Sequence, residues 1–170
     1  MCYNLDRDVA PPVAVYVERP EDASQGDVFA AVPFAGAGTS EGFRMDGMIT
    51  AHHCVCDKFF RLSGDEAERF VVAVAPVHSF DELTGGRRPA AREGHMPRYF
   101  YLPAEASRPE LVVDLYLEQP VRMVDLLVCD RLSSLSAEWL GRLWQQFLRL
   151  RLREDYMAFI TELLEHSDAP

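Results

Sequence analysis

A mainly β domain, built as a small barrel or curled sheet and closed by a C-terminal helix, is the fold class this sequence predicts. Short apolar and β-branched runs recur between Gly26 and Val128 without helical spacing. Segments rich in Gly, Pro, Ser and Asp separate them. The period then switches: Leu140, Leu143, Trp144, Phe147, Leu148 and Leu152 fall at i, i+3, i+4, i+7, i+8 and i+12, one face of a helix. Strands followed by a helix make a sheet or barrel with a helical cap. Edge closure is expected, because an open sheet of such apolar strands invites aggregation.

The elements follow in order. Residues 1–24 carry Pro11, Pro12 and Pro20, which disfavour helix, and read as an N-terminal arm with a short strand at Ala14–Glu18. Gly26–Pro33 is the first clear strand, mostly apolar and suited to burial. Ala35–Arg44 has the composition of a flexible loop. Met45–His53 follows, strand-like at Met48–Ala51, and Ser63–Glu68 is a polar turn or a short helical one. Phe70–Val77 is a β-branched core strand, and Phe80–His95, with Gly85–Gly86, is a loop. Tyr99–Leu102, Leu111–Leu117 and Arg122–Val128 complete the strands. Ser136 is the expected N-cap of the helix, and Glu138 suits the positive end of its dipole. The stripe continues through Tyr156, Phe159, Ile160, Leu163 and Leu164. Unbroken, Ala137–Glu165 spans about 43 Å at 1.5 Å per residue. A small barrel cannot cover that length, so the helix either breaks near Arg153–Asp155 or packs on another subunit. The division expected is an arm over 1–24, a barrel over 25–135 and a helical segment over 136–166.

Bulk properties exclude several classes. A chain of 170 residues, 48% hydrophobic, fits one domain with a real core. Apolar runs such as Phe70–Pro76 fall far short of a membrane span, and Met1–Asp8 carries charge without the apolar stretch of a signal peptide. Cys2, Cys54, Cys56 and Cys129 do not space as a disulfide framework, so free thiols and a cytoplasmic location are expected. The net charge of −10 argues against coating nucleic acid through bulk electrostatics, while leaving room for a local basic groove. Lys58 is the only lysine; the arginines are forks for phosphate or carboxylate, or the trace of a GC-rich genome.

Four local patterns occur in a fixed order: Gly26–Asp27–Val28–Phe29, Gly42–Phe43–Arg44, Val74–Ala75–Pro76–Val77–His78–Ser79, and the segment from Val112 to Asp125 containing Glu118–Gln119–Pro120–Val121–Arg122. This order resembles the MazF/PemK/Kid plasmid-maintenance toxins of bacteria, over about Gly26 to Leu150. The resemblance implies an SH3-like β-barrel, a homodimer, and metal-independent cleavage or binding of single-stranded RNA in a toxin–antitoxin or defence-type operon. It implies no cofactor and no membrane. By residue, Arg44 matches the phosphate-contacting arginine, His78 and Ser79 the Thr-Ser pair, and Glu118 the acidic position; Gln119, Arg122 and Asp125 match the downstream pattern. Metal-free cleavage needs a base, an acid and a cation; His78 or Glu118 can serve as the base and Arg44 as the cation. Tyr116 stands where Kid-type toxins carry an arginine, and no proline follows Arg44. A non-catalytic protein-interaction module on the same barrel, with an antitoxin or other protein partner, is the alternative.

Other constellations admit two readings each. His52, Cys54 and Cys56 would share one face of a strand and offer soft metal ligands, with His78 or Cys129 as a fourth; or the thiols pack as small hydrophobes. Cys54 with His53 as a nucleophile pair lacks an orienting third group. Arg87, Arg88, Arg92 and Arg98 line a groove for RNA or an acidic partner, or balance local acids in a solvated loop. Tyr99–Phe100–Tyr101 stacks bases or packs the core.

Overall fold

The computed structural model describes residues 14–18, 22–36, 42–105 and 108–167, with side chains described as far as residue 152. Cys2, most of the expected arm, the middle of the Ala35–Arg44 loop and the side chains of Tyr156, Phe159, Ile160, Leu163 and Leu164 lie outside these.

Eight strands form one antiparallel sheet: β1 (Tyr16–Val17), β2 (Asp27–Phe34), β3 (Phe43–Ile49), β4 (Val71–Ser79), β5 (Tyr99–Leu102), β6 (Leu111–Asp114), β7 (Gln119–Arg122) and β8 (Arg131–Leu135). Its order is β1-β8-β2-β3-β4-β6-β5, with β7 also on β4. The strand β4 carries two partners on one edge: β7 beside Val71–Val74 and β6 beside Val77–Ser79.

This sheet does not close. Its path runs from β1 to β5, and among the described residues those two end strands each pair on one side only. The expected SH3-like barrel is therefore corrected to an open sheet. An open sheet need not expose long edges: the two end strands of this path are short, and each is met by a side chain. Glu105 Oε2 accepts from the backbone N–H groups of Val15 and Tyr16 at 3.0 Å each, beside β1. At the other end, Gln146 donates to the carbonyl of Tyr99 in β5. Short, capped edges are a common defence against edge-to-edge pairing.

Both faces of the sheet are buried, which explains the near-continuous apolar strands. On one face Val28, Met48, Ala75, Val77, Phe100 and Val113 pack under Trp139, Leu143 and Leu150 of α5 (Ala137–Ser167). On the other, Phe29, Val32, Phe34, Ile49, Val72 and Val74 meet Cys56 of α1 (His53–Phe59) and Met123 and Leu126 of α4 (Met123–Leu127). A smaller cluster joins Phe80, Leu83, Tyr99 and Val112 to Ala91 of α3 (Arg87–Arg92). The helix α2 (Asp65–Arg69) carries no buried residue.

Several local expectations change. His52 accepts from the Cys54 backbone N–H at 3.3 Å and so caps a helix where a strand was expected. The Arg122–Val128 strand is the end of β7 followed by α4, fixed by Arg122 gripping Asp125 through two bonds of 2.7 and 2.9 Å. Residues Leu115–Leu117 leave the β6 register as a 3-10 turn, which Asp114 caps by accepting from Tyr116 N. The Phe80–His95 loop contains α3 and a 3-10 turn at Phe80–Glu82. The helix α5 runs unbroken from Ala137 to Ser167, about 46 Å by its rise.

Candidate functional site

The residues that the family resemblance selects do not converge. Arg44 sits near the start of β3, where its Nη1 donates to the Ala31 carbonyl at 2.9 Å. Ala31 has a positive φ of 50° at a register shift in β2, and Asp46, on the same face of β3 as Arg44, accepts from the Ala31 N–H. Arg44 and Asp46 thus strap a β-bulge. Glu118 lies at the far end of β3, where it accepts a short hydrogen bond from the Thr50 hydroxyl. Six residues of strand separate Arg44 from Thr50, about 20 Å at ~3.3 Å per residue.

His78 is also apart. It pairs with Val112, whereas Gln119, next to Glu118, pairs with Val74, four residues or about 13 Å back along β4. His78 Nδ1 lies 3.2 Å from Glu82 in a cleft of about 220 Å³ that also includes Arg87, Arg98 and Asp114. Ser79 caps the adjoining 3-10 turn by accepting from Asp81 N. Gln119 exchanges two hydrogen bonds with the backbone of Ala35, and Arg88 donates to the Leu83 carbonyl and to Asp81. Each of these side chains has local structural work.

The metal reading meets helix geometry. Cys54 and Cys56 lie two residues apart on α1, so they point to different sides: Cys54 is exposed and Cys56 is in the core. No group of three or more His, Cys, Asp or Glu side chains among the described residues is placed to hold a metal ion. Burial, with the charge of Asp27 adding, pushes the Cys56 thiol up to about 11. His52 Nδ1 does meet Cys54 Sγ at 3.0 Å, and its ring lies 5.3 Å from Trp144.

Two grooves flank α5 where it crosses the sheet. One, of about 230 Å³, is mainly apolar and is lined by Thr50, Glu118, Trp144, Phe147, Leu148 and Arg151. The other, of about 290 Å³, lies between α5, α3 and β5; its charged lining is Arg92, Arg142, Arg149 and Glu93, with Glu110 and Glu138 paired to Arg92 and Arg142 from just outside it. Trp139, Tyr99, Phe100 and Tyr101 supply aromatic wall.

The arginine groove is rigidly built. Arg92 Nη2 donates to both carboxylate oxygens of Glu110, at 2.8 and 3.0 Å. The Tyr101 hydroxyl donates a short bond to the same carboxylate. Hydrogen bonding with Tyr101 first, then the Glu110 charge, holds Arg92 above its ordinary value against some desolvation. Arg142 Nη2 donates to Glu138 at 2.7 Å while its guanidinium carbon stands 4.5 Å from the Trp139 ring centroid. Arg149 reaches toward the Gly94 carbonyl at 3.5 Å. Beneath them Gln146, buried, donates to the carbonyls of Met96 and Tyr99, at 2.8 and 3.2 Å, and locks α5 to the strand edge. Each guanidinium carries five N–H donors, so these contacts leave donors to spare. Of these residues, sequence reasoning singled out Arg92 and the three aromatics. Arg142 and Arg149 fall on one helical flank at i and i+7, a signal masked by the apolar stripe beside them.

The fold and its grooves define an open antiparallel sheet with a long helix laid across one face. No family model matches the chain, and no curated protein matches it. With the barrel absent, the MazF/PemK/Kid reading loses its foundation. The endoribonuclease, RNA-binding and toxin–antitoxin expectations, and the interaction module built on that barrel, are withdrawn with it. Among the described residues, no helix is long and apolar enough to cross a membrane.

Proposed function

We propose that the protein binds a small organic anion, a carboxylate or phosphate with a planar portion, in the groove between α5, α3 and β5. One observation carries the reading. In a chain of net charge −10, three guanidinium groups line a single cleft, two of them already oriented by Glu110 and Glu138 and the third, Arg149, contacting a backbone carbonyl. Clustered arginines suit oxyanions because the planar fork matches carboxylate and phosphate geometry. Glu110 and Glu138 hold two of the three forks in place, so binding costs little side-chain ordering. The volume of about 290 Å³ lies at the small end of ligand pockets. The aromatic walls suit the planar part.

Titration calorimetry with benzoate, citrate and pyrophosphate tests this. At least one should bind saturably, more weakly as salt rises, and Arg149→Ala should weaken it about tenfold, the loss expected for one charge-assisted contact. If none binds, or if binding is indifferent to Arg142→Ala and Arg149→Ala, the reading falls.

A further inference from the structure

The apolar stripe of α5 has more than one packing face. Trp139, Leu143 and Leu150 are buried against the sheet, while Trp144, Leu148 and Leu152 are 39%, 58% and 66% exposed. These three recur every four residues, and Tyr156, Phe159 and Leu163 continue the spacing in the sequence. Lone exposed apolar residues are ordinary, but a row at helical spacing on one helix is a docking face.

The charges of the same helix point to the occupant. From Ala137 to Arg153 there are four arginines and one acid, Glu138, a net +3; Arg142 and Arg149 line the arginine groove and Arg142 pairs with Glu138, so beyond that groove the basic character rests on Arg151 and Arg153. From Glu154 to Ser167 there are four acids (Glu154, Asp155, Glu162, Glu165) and no arginine or lysine, a net −4. A second α5 laid antiparallel sets each basic half against the other's acidic half. A parallel copy would set like against like. Antiparallel helices also oppose their macrodipoles. Packed helices lie 8–10 Å apart, within the ~10 Å screening length at 0.1 M salt, so this pattern is felt across the contact. The arrangement is self-complementary about a two-fold axis and closes at two copies.

We infer that a second copy of this chain docks along Trp144, Leu148 and Leu152, the two α5 helices running antiparallel with basic halves on acidic halves. The inference does not depend on the anion groove. Arg142 and Arg149 are left intact in the test so that association and ligand binding are read separately.

Sedimentation equilibrium tests it with three proteins. The wild type should run at twice the 19.2 kDa chain mass, and 1 M salt should weaken the dimer severalfold. A variant with Arg151→Glu and Arg153→Glu, and another with Glu162→Lys and Glu165→Lys, should each shift toward monomer. Mixed in equal amounts, the two should form a heterodimer tighter than either homodimer. Circular dichroism checks that each folds. If charge reversal unfolds either one, Leu148→Asp with Leu152→Asp replaces it and should leave a folded monomer. A monomeric wild type, reversed variants that dimerise as before, or a mixture that stays monomeric overturns the inference. So does a wild type in which this stripe captures only a different protein.

Discussion

Glu110 gathers the Tyr101 hydroxyl and the Arg92 guanidinium on one carboxylate, which makes it the residue most legible to pH. The Tyr101 hydrogen bond first, then Arg92, holds its carboxyl below the usual value of 4.5. A depressed folded value means that the stabilisation is fully present above the unfolded value. It is lost as pH falls through the lowered folded one. Thermal unfolding followed downward from neutral pH should therefore show a steeper acid decline for the wild type below about pH 4.5 than for Glu110→Gln. Equal slopes would mean that the Tyr101–Glu110–Arg92 contact does not form. Arg44, Ser79, Gln119 and Arg122 look chemical because bonds to neighbouring backbone or to Asp125 cannot be seen in a linear string. Glu118, expected at a catalytic position, accepts from the Thr50 hydroxyl at the end of β3.

Elements were more legible than residues. The β4 core run follows from its continuous β-branched, apolar content, and the start of α5 from its helical period. The strand β8 hid because its buried positions include Ser133 and Ser134, while Leu132 is exposed. Cys54 and Cys56 were misplaced because a histidine side chain, not a sequence period, turns the chain into α1. Gly26 fixes the junction of β2, β8 and α5. It has φ of 82°, and a Cβ there would stand 2.5 Å from Leu140 Cδ2 and 3.1 Å from Leu135 Cβ. Left-handed strain of ~1–2 kcal/mol and overpacking of ~1–3 kcal/mol both oppose a side chain. Urea unfolding of Gly26→Ala should show a loss of about 3 kcal/mol. A loss below about 0.5 kcal/mol would mean that α5 does not press on this turn.

Across the whole molecule, the sheet stays open because it is buried on both faces and its two end strands are capped. The sequence pattern of apolar strands is the same for a closed barrel and for a sheet covered twice. The need to hide edges favours closure. Glu105 at β1 and Gln146 at β5 meet that need with single side chains. That open edge is also what lets α5 and α3 frame the arginine groove beside β5. The two tryptophans report the grooves separately: Trp139 lines the arginine groove and Trp144 the apolar one. The most direct test is the tryptophan fluorescence of a Trp144→Phe protein, excited where tyrosine does not absorb so that Trp139 is the sole emitter, titrated with benzoate, citrate and pyrophosphate in turn. The account predicts a saturable change for the anion that binds, abolished by adding Arg142→Ala and Arg149→Ala. Emission unchanged by all three anions, or changed equally in the arginine-free protein, would contradict it.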